Sequence, residues 1–205
     1  MLPIVIMPQI LEPFASKKYK KSGGNITKFS PQNVDSKNIL CFIGGFVDSH
    51  YLLMYRAFRL SLEREFCINN VRDFNSMYIT FNCYDFLRDF MPRALSNGFR
   101  FYILAHSWGA KNIIRLCLKY DFSVEFLLSL DCVGHFKITH RPQNIKLWEN
   151  IYISDFSLEY SRANLAALIG HGQQFIKYAD FNIGLTPPHH HASLQEMINQ
   201  SRYFN

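Results

Sequence analysis

Short apolar runs, each closing on small or polar residues, recur along the chain at 38–43, 76–82, 99–105, 125–130, 150–153 and 181–185. Some, such as Phe101-Tyr102-Ile103-Leu104, are apolar without alternation. Both faces of such a strand must be covered, as in the middle of a parallel sheet flanked by crossover helices. Between the runs, 51–65, 84–96 and 109–120 have helical length and spacing. In the last of these, Ile113, Leu116, Cys117 and Tyr120 form one stripe, which is packing surface. A further amphipathic helix is expected at the carboxyl end. Strands alternating with helices predict βαβ units with right-handed crossovers. The expected fold is therefore a three-layer α/β/α sandwich on a mostly parallel, doubly wound sheet. At 205 residues the chain fits one domain spanning 1–205. Ligands of such sheets collect at the carboxyl ends of the strands, so the search for chemistry starts there.

Composition narrows the class. With 48% hydrophobic residues and only modest glycine and proline, the chain has the material for a buried sheet, which excludes disordered and fibrous classes. The formal charge is +6, but the basic residues are scattered apart from Lys17, Lys18, Lys20 and Lys21 beside Ser22-Gly23-Gly24. That cluster reads as a solvated loop. It leaves peripheral contact with anionic lipid open, and a nucleic-acid partner is not expected. The five cysteines (Cys41, Cys67, Cys83, Cys117, Cys132) are odd in number, form no CxxC pair and mostly sit in apolar runs, as small hydrophobes of a reducing compartment do. The opening Met1-Leu2-Pro3-Ile4-Val5-Ile6-Met7-Pro8 lacks the basic and long apolar regions of a secretory signal. No run approaches the ~20 apolar residues of a membrane span. A cytoplasmic address without an integral membrane segment is expected, although export without a signal would leave no mark. No pattern fixes an oligomeric state.

The third long run ends in Ala105-His106-Ser107-Trp108-Gly109 and passes directly into a helical segment. A serine at a sharp strand-to-helix turn, with small residues two places to either side, has the context of a nucleophile elbow. The competing reading is an ordinary serine whose hydroxyl caps the helix. Upstream, the run to Ile43 ends in Gly44-Gly45-Phe46, another turn at a strand end.

The segment resembles the elbow of the α/β-hydrolase family, and Ala-His-Ser-x-Gly is similar to the variant of small bacterial lipases. Alanine at 105 meets the steric demand that glycine meets elsewhere. The resemblance implies Ser107 as nucleophile and an oxyanion hole from the backbone N–H of Trp108 and one N–H of the glycine loop, assigned to Phe46 with Gly45 second. It also implies the chain order serine, acid, histidine. Two carboxylates end suitable strands, Asp131 and Asp155. Leu130-Asp131-Cys132-Val133, followed by Arg141-Pro142-Gln143-Asn144-Ile145, resembles small bacterial hydrolases whose acid follows the earlier strand, which favours Asp131 over Asp155. The base is expected after the last strand, within His189-His190-His191; the His-Ala start of the final helix favours His191, with His190 as the alternative.

The implied activity is cleavage of a carboxylic ester or thioester through an acyl-enzyme. An acyltransferase on the same triad and a catalytically inactive binding protein are the alternatives. No cofactor is implied. A metal at the histidine triplet, with His171, is set aside because neighbouring residues of an extended loop point apart. His106 reads as packing, Asp48 as a tie within the glycine turn, and His135 as a surface loop residue. Only Cys132 to Leu147 separates the two late strands where a cap is usually inserted, so a minimal cap or none is expected, with an open site for small esters or one acyl chain.

Overall fold

The structure, a computed structural model, describes residues 2–46 and 48–204. Its strands are β1 (Ile4–Pro8), β2 (Asn25–Phe29), β3 (Asn38–Ile43), β4 (Asn75–Ile79), β5 (Arg100–His106), β6 (Val124–Leu130), β7 (Ile145–Ile153) and β8 (Phe181–Leu185). The helices are α1 (Lys17–Lys21), α2 (Asp48–Tyr51), α3 (Leu53–Glu63), α4 (Tyr84–Ser96), α5 (Trp108–Lys119), α6 (Asn164–Gly170) and α7 (Leu194–Asn199). The strands form one eight-stranded sheet in the order β2-β1-β4-β3-β5-β6-β7-β8. Every neighbouring pair is parallel except β1 with β4.

Side-chain period decides which layer each residue joins. Along β3, Ile39, Cys41 and Ile43 belong to the core beneath α4 and α5 with Phe86, Phe90, Ile113 and Leu116, whereas Leu40 and Phe42 join Met54, Phe58, Met197 and Ile198 of α3 and α7 on the other face. The central strands lie between helices on both sides, so their runs are continuously apolar. This is the three-layer, doubly wound arrangement expected from the alternation. The order reverses between β3 and β5: β3 leads through α3 to β4 on one side, and β5 through α5 to β6 on the other. Connections diverging in this way leave a crevice at the carboxyl ends of β3 and β5, where the glycine turn and Ser107 lie.

One sequence expectation is corrected, and two features the sequence reading left open are filled in. The opening apolar stretch, read only for what it lacks as a signal, is β1, whose Val5 and Met7 are fully buried. The lysine cluster is the short helix α1 rather than a loop, with Ser16 as N-cap accepting from the Tyr19 N–H, and Tyr19 turned into the core. The connection after β6 is short, as expected, and residues 154–180 between β7 and β8 carry α6. A single seven-residue helix still makes a minimal cap.

Candidate active site

The elbow begins with β5 and β6 in parallel register, which carries His106 level with Leu130. Ser107 follows with φ 55° and ψ −125° and is the residue immediately before α5. A non-glycine residue in this region is strained by about 1–3 kcal/mol and persists only when its surroundings hold it. Here the Ser107 N–H donates to the Leu130 carbonyl at 2.9 Å and its carbonyl accepts from the Val133 N–H at 3.2 Å. The hydroxyl makes no capping hydrogen bond to α5, which removes the helix-cap reading. Gly109 allows α5 to start so close to β3: a β-carbon there would stand 2.4 Å from the Gly44 carbonyl oxygen.

The glycine turn packs on the elbow. A β-carbon on Gly45 would meet Ser107 Cβ at 2.8 Å, His106 Nδ1 at 3.2 Å and Ser107 Oγ at 3.3 Å, so only a bare backbone fits beside the serine. Phe46 is exposed, with its ring against Phe81 and Trp108. Trp108 opens α5, so its N–H is among the first-turn donors that have no acceptor inside the helix. Asp48 is buried and ties the turn down, accepting from the Met54 N–H at 2.6 Å and from the Tyr78 hydroxyl at 2.8 Å. Burial pushes its carboxyl above the usual range, opposed by these bonds.

The two candidate acids differ sharply. Asp131, at φ 42°, is wholly buried; Oδ1 accepts from the Ile153 N–H at 3.0 Å and Oδ2 lies 2.5 Å from His191 Nδ1. Asp155 is exposed and accepts from the Ser157 N–H at 2.8 Å, forming a local turn. Within the triplet, His190 Nδ1 accepts from the Ala192 N–H at 3.2 Å, while His191 is 2% exposed. The fold therefore joins His191 to Asp131 and packs Gly45 on Ser107, with His106 between the two pairs, whereas Asp155 and His190 make only local bonds.

His191 Nε2 is buried and has no hydrogen-bond partner among the described residues. Ser107, also 2% exposed, is thus not bonded to it, a separation common in unliganded sites. His106 links the two: Ser107 follows it in the chain, and its ring centroid is 4.7 Å from that of His191. His106 Nε2 lies 3.0 Å from the His191 carbonyl oxygen, and an acceptor-only partner requires that nitrogen to donate. Burial, helped by the nearby imidazole, pushes His106 down to about 3, so it is neutral at ordinary pH.

Sequence reasoning missed one group. Asn164 Oδ1 accepts from the His191 N–H at 2.9 Å; it stands in Ser161-Arg162-Ala163-Asn164, which carries no motif. His135 is an exposed loop residue, as expected, with its ring against Trp108 and His171. Among the described residues no group of His, Cys, Asp and Glu could hold a metal ion, and no helix is long and apolar enough to cross a membrane. A cavity of about 290 Å³ between Cys117, Tyr120, His140 and Asn144 lies by the carboxyl end of α5, away from Ser107 at the amino end.

The fold is a three-layer, doubly wound α/β/α sandwich on a mostly parallel sheet, with one short helix in the connection between β7 and β8. Among solved structures, the chain is similar to an α/β serine hydrolase without lid from Xanthomonas campestris, at 12% identity and a TM-score of 0.47, covering 80% of this chain and 77% of that one. It is also similar to an α/β serine hydrolase homologue from Coxiella burnetii, at 11% identity and a TM-score of 0.45, covering 82% and 84%. No protein-family model and no curated protein matches the sequence.

Proposed function

We propose that this protein is a serine hydrolase cleaving carboxylic esters or thioesters, with Ser107 as nucleophile, His191 as general base and Asp131 as the acid that orients it. One observation carries the reading: a buried imidazole bonded through Nδ1 to a buried carboxylate, its Nε2 unpartnered, packed on the His106 ring that immediately precedes a strained serine. Backbone strain at a serine persists only where the surroundings hold it, and an imidazole whose Nδ1 is bonded to a carboxylate while Nε2 is free has the arrangement of a general base; the His106 ring, whose buried Nδ1 is also unpartnered, has no carboxylate on its other nitrogen.

In the proposed cycle His191 Nε2 removes the Ser107 proton as Oγ attacks the carbonyl carbon. The negative oxygen of the tetrahedral intermediate accepts from the Trp108 N–H and from the glycine turn, with Phe46 as donor and Gly45 second. Losing one such donor typically raises the barrier by about 3 kcal/mol. His191 then returns the proton to the departing alcohol or thiol, leaving an acyl-Ser107. Water, deprotonated by His191, attacks the acyl carbonyl; the bond from the acyl carbon to Ser107 Oγ then breaks, His191 returns the proton to Oγ, and the carboxylic acid leaves. Asp131 fixes the tautomer and stabilises the imidazolium. The exposed Phe46 ring beside Trp108 offers an apolar wall to a small ester or a single acyl chain.

The test is covalent labelling with a fluorophosphonate. Wild type is expected to label with one equivalent and Ser107→Ala not at all, with both proteins folded by circular dichroism. Equal labelling of the two, or no labelling of folded wild type, would overturn the proposal.

A further inference from the structure

A catalytic histidine works only if its main chain is fixed, because the ring turns about Cα–Cβ and a small displacement at Cα is magnified at Nε2. The His191 backbone is gripped from two sides. Its N–H donates to Asn164 Oδ1 at 2.9 Å, and its carbonyl accepts from His106 Nε2 at 3.0 Å. Asn164 is wholly buried at the first position of α6 and makes a second bond, donating from Nδ2 to the Ser157 carbonyl at 2.9 Å. The other end of the same helix presses on the elbow: a β-carbon on Gly170 would stand 2.4 Å from Val133 Cγ1 and 3.0 Å from Trp108 Nε1. Helix α6 thus touches the loop that holds the candidate base at one end and the residue next to the candidate nucleophile at the other.

We propose that Asn164 is a positioning residue: through its bond to the His191 N–H it makes α6 and the 154–180 connection set where the base stands relative to Ser107. His106 completes the grip from the carbonyl side. The catalytic part of this inference rests on the function proposed above; the geometric part does not. Asparagine suits the position because it accepts on one side and donates on the other. Neutrality suits His106, since a second imidazolium so close would oppose the charge that His191 acquires during the reaction.

The experiment compares wild type, Asn164→Ala and Asn164→Asp by two readouts. The first, independent of activity, is the far-downfield proton resonance of His191 Nδ1 in its bond to Asp131. The second is the rate of fluorophosphonate labelling. Asn164→Ala is expected to broaden or lose the proton signal and to label about 10- to 100-fold more slowly, the effect of a misplacement on the order of an ångström. Asn164→Asp, assayed where the new carboxyl is ionised, keeps the acceptor for the His191 N–H and replaces the donor to Ser157 by a charged oxygen that cannot bond its carbonyl. It is therefore expected to keep the signal and to label within about fivefold of wild type, taking a tenfold loss as the onset of misplacement. If Asn164 serves only to tie the connection to Ser157, both variants fail alike and the proposal falls. An unchanged proton signal and labelling rate in Asn164→Ala overturns it too. If wild type does not label at all, the hydrolase reading fails while the proton signal still judges the grip. Should Asn164→Ala not fold, His106→Leu, which loses the donor, and His106→Gln, which retains one, carry the same comparison from the carbonyl side. A signal lost in Leu and kept in Gln supports the grip; one kept in both refutes it.

Discussion

Replacing Asp131 by asparagine changes one proton-bearing group and almost no volume, and the surrounding bonds dictate the outcome. Oδ1 accepts from the Ile153 N–H at 3.0 Å, so the carbonyl oxygen of the new amide must take that place. The amide nitrogen then faces His191 Nδ1 where a carboxylate oxygen stood at 2.5 Å. A donor there requires Nδ1 to accept, which moves the imidazole proton to Nε2. With Nε2 protonated, the ring has no lone pair for the Ser107 hydroxyl. The expected loss in kcat is about 10⁴-fold, or roughly 5.5 kcal/mol of transition-state stabilisation. Folding should change far less, because the bond to Ile153 survives; about 1–3 kcal/mol for weakening one charged hydrogen bond is expected. Asp155→Asn alters an exposed turn residue whose bond to the Ser157 N–H an amide oxygen can also accept, so its kcat should stay within about threefold of wild type, as for surface changes worth under ~0.5 kcal/mol. The assay is hydrolysis of a short-chain p-nitrophenyl ester, with urea midpoints measured alongside. Retention of activity by Asp131→Asn, or equal losses in the two variants, would refute the reasoning.

Gly45→Ala would drive a methyl group to 2.8 Å from Ser107 Cβ, so labelling should slow by at least about 100-fold and folding stability fall by about 1–3 kcal/mol; an alanine variant as reactive as wild type would show that the turn does not abut the nucleophile. His106 gives a pH signature. Its folded value of about 3 lies below the 6.5 of the free group, so the unfolded chain binds a proton that the folded chain refuses. Its contribution to stability is therefore complete above pH 6.5 and is lost as pH falls toward about 3, by roughly 1.4 kcal/mol per unit. Urea midpoints from pH 7.5 to 4.5 should fall more steeply for wild type than for His106→Gln, and parallel slopes would contradict a buried neutral imidazole.

The local pattern is legible in consecutive residues. Continuously apolar runs such as 101–104 announce strands covered on both faces, and Ala105-His106-Ser107-Trp108-Gly109 announces a tight turn into a helix, because each depends on neighbours in the chain. The β1 and β2 strands are harder to read: β2 is largely exposed at the sheet edge, and β1 is short and flanked by prolines. Asp131 and Asp155 both follow strands, and three histidines follow the last one, so residue type and spacing leave each choice open. Tertiary structure separates them by burial and partner: the β6 strand delivers Asp131 beneath His191, while Asp155 turns outward into its own loop. Asn164 has no legible signal at all, since its significance is a bond to a main-chain group 27 positions away. Local propensity is written in neighbouring residues, whereas a polar side chain's role depends on which distant backbone group the fold leaves in need of it.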